Sequence, residues 1–577
     1  MAVLQPLLDL VEVCAQHGLR HAIICPGSRS AALTIAFARH PQIITYVIAD
    51  ERSAAYIGLG MAQALEQPVA LVCTSGTAAI NFAPAVAEAF FAQIPLLVLT
   101  ADRPPEWIHQ QDGQMVYQTD LFGKHVKQAH QFPVDFSQAD ATWFANRIIN
   151  QCFISLTTNP LGPVHVNVPI REPFYPTADE SYKFNPDVRV VRPVSLQKTL
   201  DSETWASLLD ELEDADRVLI AAGQGRVGAD LVHSLRALQE EFNLPVAGDV
   251  ISNLPADEDF LTTQDVSLGQ KNGDVLATLQ PDLLITFGNS FISKNFKSFL
   301  RAHQPKHHWH LQTGDELIDP FQSVTRVLGV EPAYFFRQLL EDLDLRRFRS
   351  GDEEDRDGAY RQAWLIQQRK ARRLIHTFLP GQPQFNEFTA VHYLLGQLPA
   401  DCQLHLANSL SVRYANYAGL PIGHRIDVFS NRGTSGIDGC LSTAVGAALV
   451  VDTPVFLLIG DVAFFYDRNA LWQPNVPPNL RIVLLNNHGG GIFRVIDGPG
   501  SLPEREEFFA TPHPNNAART AQDAGLTYFN CHSMDELQAH WPWFVAPSAT
   551  AKILEIDTDG AVNEAVFAAF KQGMVDL

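Results

Sequence analysis

Positive charge is in short supply in this sequence. Against 64 Asp and Glu stand 42 Lys and Arg, a formal net charge of −22, which argues against a surface for nucleic acid or for anionic membranes. An anionic substrate would therefore need a locally basic pocket. Cysteine is sparse too. Cys14, Cys25, Cys73, Cys152, Cys402, Cys440 and Cys531 are scattered with no CxxC spacing, so they read as small buried hydrophobes in a reducing compartment, not as a disulfide frame or a zinc site. Long apolar runs are missing. The most membrane-like stretch, residues 440–459, is broken by Asp452-Thr453-Pro454 and is predicted to be helix, turn and buried strand, not a span. Low-complexity tracts are absent. The first residues carry Asp9 and Glu12 in an amphipathic helical pattern, which is no secretory leader. The expectation is a cytoplasmic protein with no membrane and no nucleic-acid partner.

What is present is an alternation of helix and strand signals over 577 residues, enough for three or four domains. In the first block Leu4, Leu7, Leu8, Val11 and Cys14 make a helical face that stops at Gly18. Strand-like runs follow at 22–25, 43–48, 69–73 and 96–100, with helical patterns between them, the rhythm of a parallel sheet covered on both faces. Their carboxyl ends carry polar clusters: residues 26–30 (PGSRS), 50–53 (DERS), 74–77 (TSGT) and 100–104 (TADRP). Four such clusters on one rim are more than solubility requires, because that rim is where open α/β sheets bind ligands.

A proline-rich, charged stretch at 172–193 reads as a linker. The second block has a strand at 218–222 and then Gly223-Gln-Gly225-Arg-Val-Gly228 opening a helix, with Asp249 after the next strand. This spacing admits a dinucleotide site, although GxG turns also serve plain strand–helix packing, the reading preferred here. His303, His307, His308 and His310 lack a nearby carboxylate or cysteine to complete a metal set, so they are predicted to be surface and strand-edge histidines. The run at 349–357 (RSGDEEDRD) reads as a solvated linker. In the third block, strands are predicted at 403–406, 426–429, 455–459, 482–485 and 552–556. The expected fold is α/β, with three doubly wound parallel-sheet domains at 1–175, 195–345 and 360–577.

Two of the third-block strands end in Gly460-Asp461 and Asn486-Asn487. Asp461 offers a carboxylate, Asn487 a carbonyl oxygen 26 residues later, and Gly489 a sharp turn that can aim its own carbonyl the same way. Three such oxygens suit a hard octahedral cation such as Mg²⁺, with its remaining positions filled by diphosphate oxygens and water. This pattern resembles the diphosphate/metal motif of thiamine-diphosphate enzymes, except that Val462 stands where the superfamily usually has a second glycine. In that superfamily a glutamate just after a strand of the pyrimidine domain promotes formation of the imino base, and Glu51 matches its position. A bulky apolar residue bends the cofactor, and Ile437, in the 431–439 run NRGTSGIDG, is the candidate.

Together PGSRS, DERSAA, TSGTA, TADRP, NSLSVR, SNRGTSGIDG and NNHGGGIF, spread over residues 26–493, resemble the 2-succinyl-5-enolpyruvyl-6-hydroxy-3-cyclohexene-1-carboxylate synthase family of menaquinone and phylloquinone biosynthesis. The resemblance implies pyrimidine, middle and diphosphate domains, with thiamine diphosphate and Mg²⁺ (or Mn²⁺) as cofactors. It implies decarboxylation of 2-oxoglutarate and 1,4-addition of the succinyl-semialdehyde carbanion to isochorismate. It assigns catalysis to Glu51, Ser28, Arg29, Gln114, Ser409 and Arg413. Cofactor binding falls to Pro26, Glu51, Thr77, Asn81, Gly436, Ile437, Asp461, Asn487 and Ile492, and the metal to Asp461, Asn487 and Gly489. Substrate contacts fall to Ser28, Arg29, Arg103, Gln114, Ser409, Arg413, Arg432 and Phe493, and to Lys294, where Asn295 replaces a family arginine. Both substrates carry two carboxylates, which arginine binds bidentately, and all four arginines are expected at loop or strand ends. The resemblance also implies that Glu51 and Asp461 meet across a subunit interface, so a homodimer is the minimum and a tetramer is compatible. Acetohydroxyacid synthase, a simple 2-oxoacid decarboxylase, and a dinucleotide-binding protein with vestigial thiamine motifs are the rivals.

Overall fold

Uninterrupted Val, Ile and Leu runs become inner strands of parallel sheets because both of their faces are buried. A computed structural model describes residues 5–172, 174, 175, 182–194, 196–350, 358–496 and 498–577. Leu4, residues 173 and 176–181 of the expected first linker, and residues 351–357 of the expected charged linker lie outside the described residues.

The strands β1 (His21–Ile24), β2 (Ile44–Val47), β3 (Val69–Cys73), β4 (Leu96–Asp102), β5 (Ala129–Gln131) and β6 (Val164–Pro169) form one sheet in the order β2-β1-β3-β4-β6-β5. A middle sheet has β7 (Val218–Ala222), β8 (Val246–Gly248), β9 (Leu283–Phe287), β10 (His307–Leu311) and β11 (Arg326–Leu328) in the order β11-β10-β9-β7-β8. The third comprises β12 (Asp401–Leu406), β13 (Arg425–Phe429), β14 (Val455–Gly460), β15 (Leu480–Asn486), β16 (Thr527–Cys531) and β17 (Lys552–Asp557), ordered β13-β12-β14-β15-β17-β16. Neighbouring strands in all three sheets pair in parallel. Counted from the first strand of each, the first and third sheets have the same order. The chain is thus an α/β protein of three parallel-sheet domains.

Residues 440–459 are the helix Cys440–Ala448 followed by β14, as the interrupted apolar run predicts, and no described helix is long and apolar enough to cross a membrane. All seven cysteines are buried and free.

The two like sheets share one core. A continuous buried cluster runs from Ile23, Leu71 and Val98 through Ile57 and Leu59, then Leu441 and Val445, to Leu457 and Ile459. Its middle is the packing of helix Glu51–Leu65 on helix Cys440–Ala448. The backbones approach so closely that a Cβ on Gly60 would stand 1.9 Å from Thr443 O, and one on Gly446 2.0 Å from Ile57 O. Only glycine fits there. These helices follow β2 and β13, equivalent strands of the two sheets.

The middle sheet corrects one expectation. β10 lies between β9 and β11, so His308 and His310 are buried core residues, not surface or edge ones. Both bond Thr286 Oγ1 at 2.8 Å, and burial lowers the His308 pKa to about 4, which keeps the ring neutral. Among the described residues no group of three or more His, Cys, Asp or Glu is arranged to hold a metal ion.

Candidate active site

Asp461 is the first residue of helix Asp461–Asp467, directly after β14, and is 2% exposed. Its Oδ2 accepts from Gly489 N at 2.8 Å and lies 3.4 Å from His513 Nε2; that contact raises the His513 pKa. Its Oδ1 accepts from Val462 N. Asn487 follows β15, and its Nδ2 donates to Glu387 Oε1 at 2.8 Å. Asn487 Oδ1 is buried and accepts no hydrogen bond. An orphaned buried carbonyl oxygen costs free energy that a cation would offset. Gly489 is held between these groups: a Cβ there would stand 2.6 Å from Ala510 O, and its carbonyl accepts a single backbone bond, from Gly491 N. One carboxylate, one amide oxygen and one main-chain oxygen on a sheet rim form a donor set that fits Mg²⁺ or Mn²⁺ carrying diphosphate. Ile492 and Phe493 begin the short helix Ile492–Val495 beside it, half-buried.

The loop after β13 is fixed by groups with no local sequence signal. Asn408 Nδ2 donates to the carbonyls of Asn431 and Gly436, both at 2.7 Å, and its Oδ1 accepts from Arg432 Nη1. Glu88, on helix Ala83–Phe91 of the first domain, is 1% exposed. It accepts from Gly433 N at 2.8 Å, Thr434 N at 2.6 Å and Thr434 Oγ1 at 2.7 Å. Tyr56 Oη donates to Asp438. Ile437 is thereby presented half-buried against the shared core. Ser409, at φ 74, caps helix Leu410–Ala418, and its carbonyl accepts from Arg413 Nη1 at 2.6 Å. Arg413 therefore sits one turn inside a helix, not at a loop or strand end. Burial lowers the pKa of Arg413 and of Arg432, and each feels positive charge or buried acid nearby: Arg413 acts on Arg432, and Asp265 on Arg413.

On the first sheet, Asp50 caps helix Glu51–Leu65 by accepting from Ser53 N at 3.2 Å, which sets Glu51 half-buried at the helix start. Glu51 acts electrostatically on the buried Cys25 and Cys73 thiols at the ends of β1 and β3. Arg29 is 8% exposed, bonds Ile170 O and lies over the Phe174 ring at 4.4 Å. Burial lowers its pKa, and Arg103 adds to that. Arg103 bonds Gly113 O and lies 3.4 Å from Asp112. Gln114, exposed at φ 56, accepts through its carbonyl from Ser75 Oγ. Pro26, Ser28, Thr77 and Asn81 are exposed on this rim.

The predicted residues thus gather into a cation-type donor set with Asp461, Asn487 and Gly489, an Asn408-centred set with Ser409, Arg413, Arg432, Gly436 and Ile437, and a first-rim set around Glu51, Arg29 and Arg103. Lys294 is exposed at the start of helix Lys294–Ala302. Asn295 is committed elsewhere, its N and Nδ2 both donating to Asp265. Lys297, one turn on, is more deeply buried and feels Asp249, Arg432 and Asp265.

The Gly223–Gly228 turn has its donors in use: Gly223 N goes to Phe287 O, Gln224 N to Ser290 O and Gly225 N to Ile251 O. Asp249 is 1% exposed and accepts from Gln264 Nε2, Ser293 N, Ser293 Oγ and Ile292 N. A ribose acid or phosphate cradle needs such groups free; here they are committed to hydrogen bonds within the chain.

Residues 9–126 match the family model described as thiamine pyrophosphate enzyme, N-terminal TPP binding domain, and residues 194–406 match the one described as middle domain of thiamine pyrophosphate. The chain is 42% identical over 569 residues to the 2-succinyl-5-enolpyruvyl-6-hydroxy-3-cyclohexene-1-carboxylate synthase of Cytophaga hutchinsonii, covering 99% of each chain. It is 36% identical to the synthases of that name from Desulfotalea psychrophila, over 92% of this chain and 94% of the relative, and Porphyromonas gingivalis, over 98% and 96%. With its three parallel-sheet domains and its rim chemistry, the chain belongs to the 2-succinyl-5-enolpyruvyl-6-hydroxy-3-cyclohexene-1-carboxylate synthase family of thiamine-diphosphate enzymes.

Proposed function

We propose that this chain decarboxylates 2-oxoglutarate and adds the four-carbon product to the conjugated double bond of isochorismate, a transferase step of menaquinone or phylloquinone biosynthesis in the cytoplasm. The observation that carries the reading is the donor set at the third rim, where the buried Asp461 carboxylate stands with the partnerless Asn487 Oδ1. Family membership narrows the reaction. In this reading residues 1–175 hold the pyrimidine, 195–345 form a middle domain without a dinucleotide, and 360–577 hold diphosphate and metal.

Thiamine diphosphate, when bound, supplies the nucleophilic carbon and the electron sink. The chain's own residues position and neutralise. Asp461, Asn487 and Gly489 would hold Mg²⁺ or Mn²⁺, which would neutralise the diphosphate. Ile437 would support the cofactor from the third domain, with Pro26, Thr77, Asn81, Gly436 and Ile492 as its further contacts. Glu51 would hold the proton that activates the cofactor's pyrimidine. Arg29 and Arg103, with Ser28 and Gln114, and Arg413 and Arg432, with Ser409, bind carboxylates, giving the local positive field that the −22 chain otherwise lacks. Phe493 walls the site, and Lys294 reaches it from the middle domain.

Two copies of the chain complete the site, Glu51 of one meeting Asp461 of the other, and a tetramer is two such pairs. Exposed Ile44 (56%) and Val47 (61%) on the edge strand β2 support this, as do exposed Tyr466 and Trp472 beyond Asp461.

The test is purified protein with thiamine diphosphate, Mg²⁺ and 2-oxoglutarate, with and without isochorismate, following isochorismate absorbance and CO₂. Isochorismate loss that needs every component supports the reading. CO₂ from pyruvate, with isochorismate untouched, would move the chain to acetohydroxyacid synthase or simple decarboxylase chemistry.

A further inference from the structure

A carboxamide brings two opposite ends to a cation site. Oδ1 of Asn487 can bind a cation and Nδ2 repels one, and a half-turn of the group exchanges them with almost no change of shape. In this protein a neighbour decides the orientation. Asn487 Nδ2 donates to Glu387 Oε1 at 2.8 Å, leaving Oδ1 buried without a partner. Glu387 is itself held firmly. It is 1% exposed and opens helix Glu387–Gly396, capped by Asn386, which accepts from Thr389 N. Its backbone N–H donates to Asn563 Oδ1 at 2.9 Å. Glu387 Oε1 takes the Asn487 amide's N–H end, which turns Oδ1 away from it.

We propose that Glu387 is a positioning residue of the cation site: it locks the Asn487 carboxamide with Oδ1 toward the metal. This rests on the reading of the third rim as a divalent-cation and diphosphate site. It explains why a long acidic side chain is buried on a helix 100 residues before Asn487, where no role for it is legible from the sequence. Partners that orient a metal ligand in this way are worth about 10–100-fold in metal affinity.

The experiment is Mn²⁺ binding, read as loss of the free-ion electron paramagnetic resonance signal at saturating thiamine diphosphate. Four full-length proteins are compared: the parent, Glu387→Gln, Asn487→Asp and the double variant. Circular dichroism melting without metal reports whether each is folded. Glu387→Gln offers one acceptor and one donor where the parent has two acceptors, so the Asn487 orientation is no longer fixed and Mn²⁺ binding is expected to weaken about 10-fold. In the Asn487→Asp background the same change is expected to leave binding unchanged or tighten it. There both ends of residue 487 are oxygens, and removing the second carboxylate relieves repulsion. A merely structural role would weaken both backgrounds alike. Glu387→Asp serves where Glu387→Gln does not fold: it keeps the charge but withdraws the acceptor, and the same weakening is expected. Unchanged Mn²⁺ affinity in either folded single variant at 387 overturns the proposal, as does equal loss in both backgrounds. A parent that binds no Mn²⁺ overturns the cation-site reading and the proposal with it.

Discussion

The first and third sheets share one strand order yet place opposite chemistry at equivalent strand ends. After the third strand of each comes the neutral 74–77 cluster in one and Asp461 in the other. After the fourth comes Arg103 in one and Asn487 in the other. A guanidinium where the sister sheet has a metal-type oxygen makes the first rim hostile to a cation and receptive to carboxylates. Glu51 and Ile437 open from the equivalent strands β2 and β13. One architecture thus carries two rims of different chemistry, one with a buried carboxylate beside a partnerless amide oxygen and one with two arginines and a glutamate. Function lives in the rim, not in the fold.

The largest way to sharpen this contrast is Glu51→Gln. The kcat is expected to fall about 10²–10⁴-fold, the range of a positioned acid or base, with thiamine-diphosphate affinity kept. Steady-state rates beside a tryptophan-quenching titration check it, and full activity would remove Glu51 from the chemistry. Next is Arg432→Ala. Loss of a charge-assisted carboxylate contact is worth about 1.5–3 kcal/mol, so kcat/KM for the dicarboxylic substrates should drop about 10–100-fold, chiefly through KM. A kcat effect alone would assign Arg432 elsewhere.

The joint between the two sheets is tested by Gly60→Ala. Its Cβ would meet Thr443 O at 1.9 Å, and overpacking of this kind costs about 1–3 kcal/mol. A lowered Tm is expected, and an unshifted Tm would mean the helices separate freely. The smallest effect is a control in the middle sheet. His308 has a folded pKa of about 4 against a usual value near ~6.5. Between those values the unfolded chain binds a proton that the folded one does not, so stability falls as pH drops through that window and is unaffected above it. Melting curves of His308→Gln against the parent should show a shallower acid loss, with no change in the Mn²⁺ or thiamine-diphosphate affinities.

The strands that sequence reading finds are those whose apolar runs are unbroken: 69–73 and 218–222 coincide with β3 and β7. β6 escapes it because its buried face alternates His165 and Asn167 with valine. Those two side chains join Thr100, Asp102 and Gln118 in a hydrogen-bond network inside the sheet, and polar residues in a core strand look like a loop. β5 and β16 are short or half-polar and sit at sheet edges. The rim residues Asp461 and Asn487 are legible because glycine and asparagine stand at strand ends. Glu88, Glu387 and Asp467 are not, since an acid on a helix reads as a solvated charge and only the fold reveals its burial. Burial raises the Glu387 and Asp467 pKa to about 7; Asp467 accepts from Ser442 N and Oγ at 2.7 Å. His308 and His310 mislead for the converse reason: Thr286, 22 residues away from His308, satisfies both rings.

One titration tests the division between the rims most directly: calorimetric binding of thiamine diphosphate with Mg²⁺ to Glu51→Gln and Asp461→Ala proteins side by side. The account predicts near-parental affinity for the first and loss of binding, about 100-fold or more, for the second. Equal affinities in the two variants, or loss in Glu51→Gln with retention in Asp461→Ala, would contradict it.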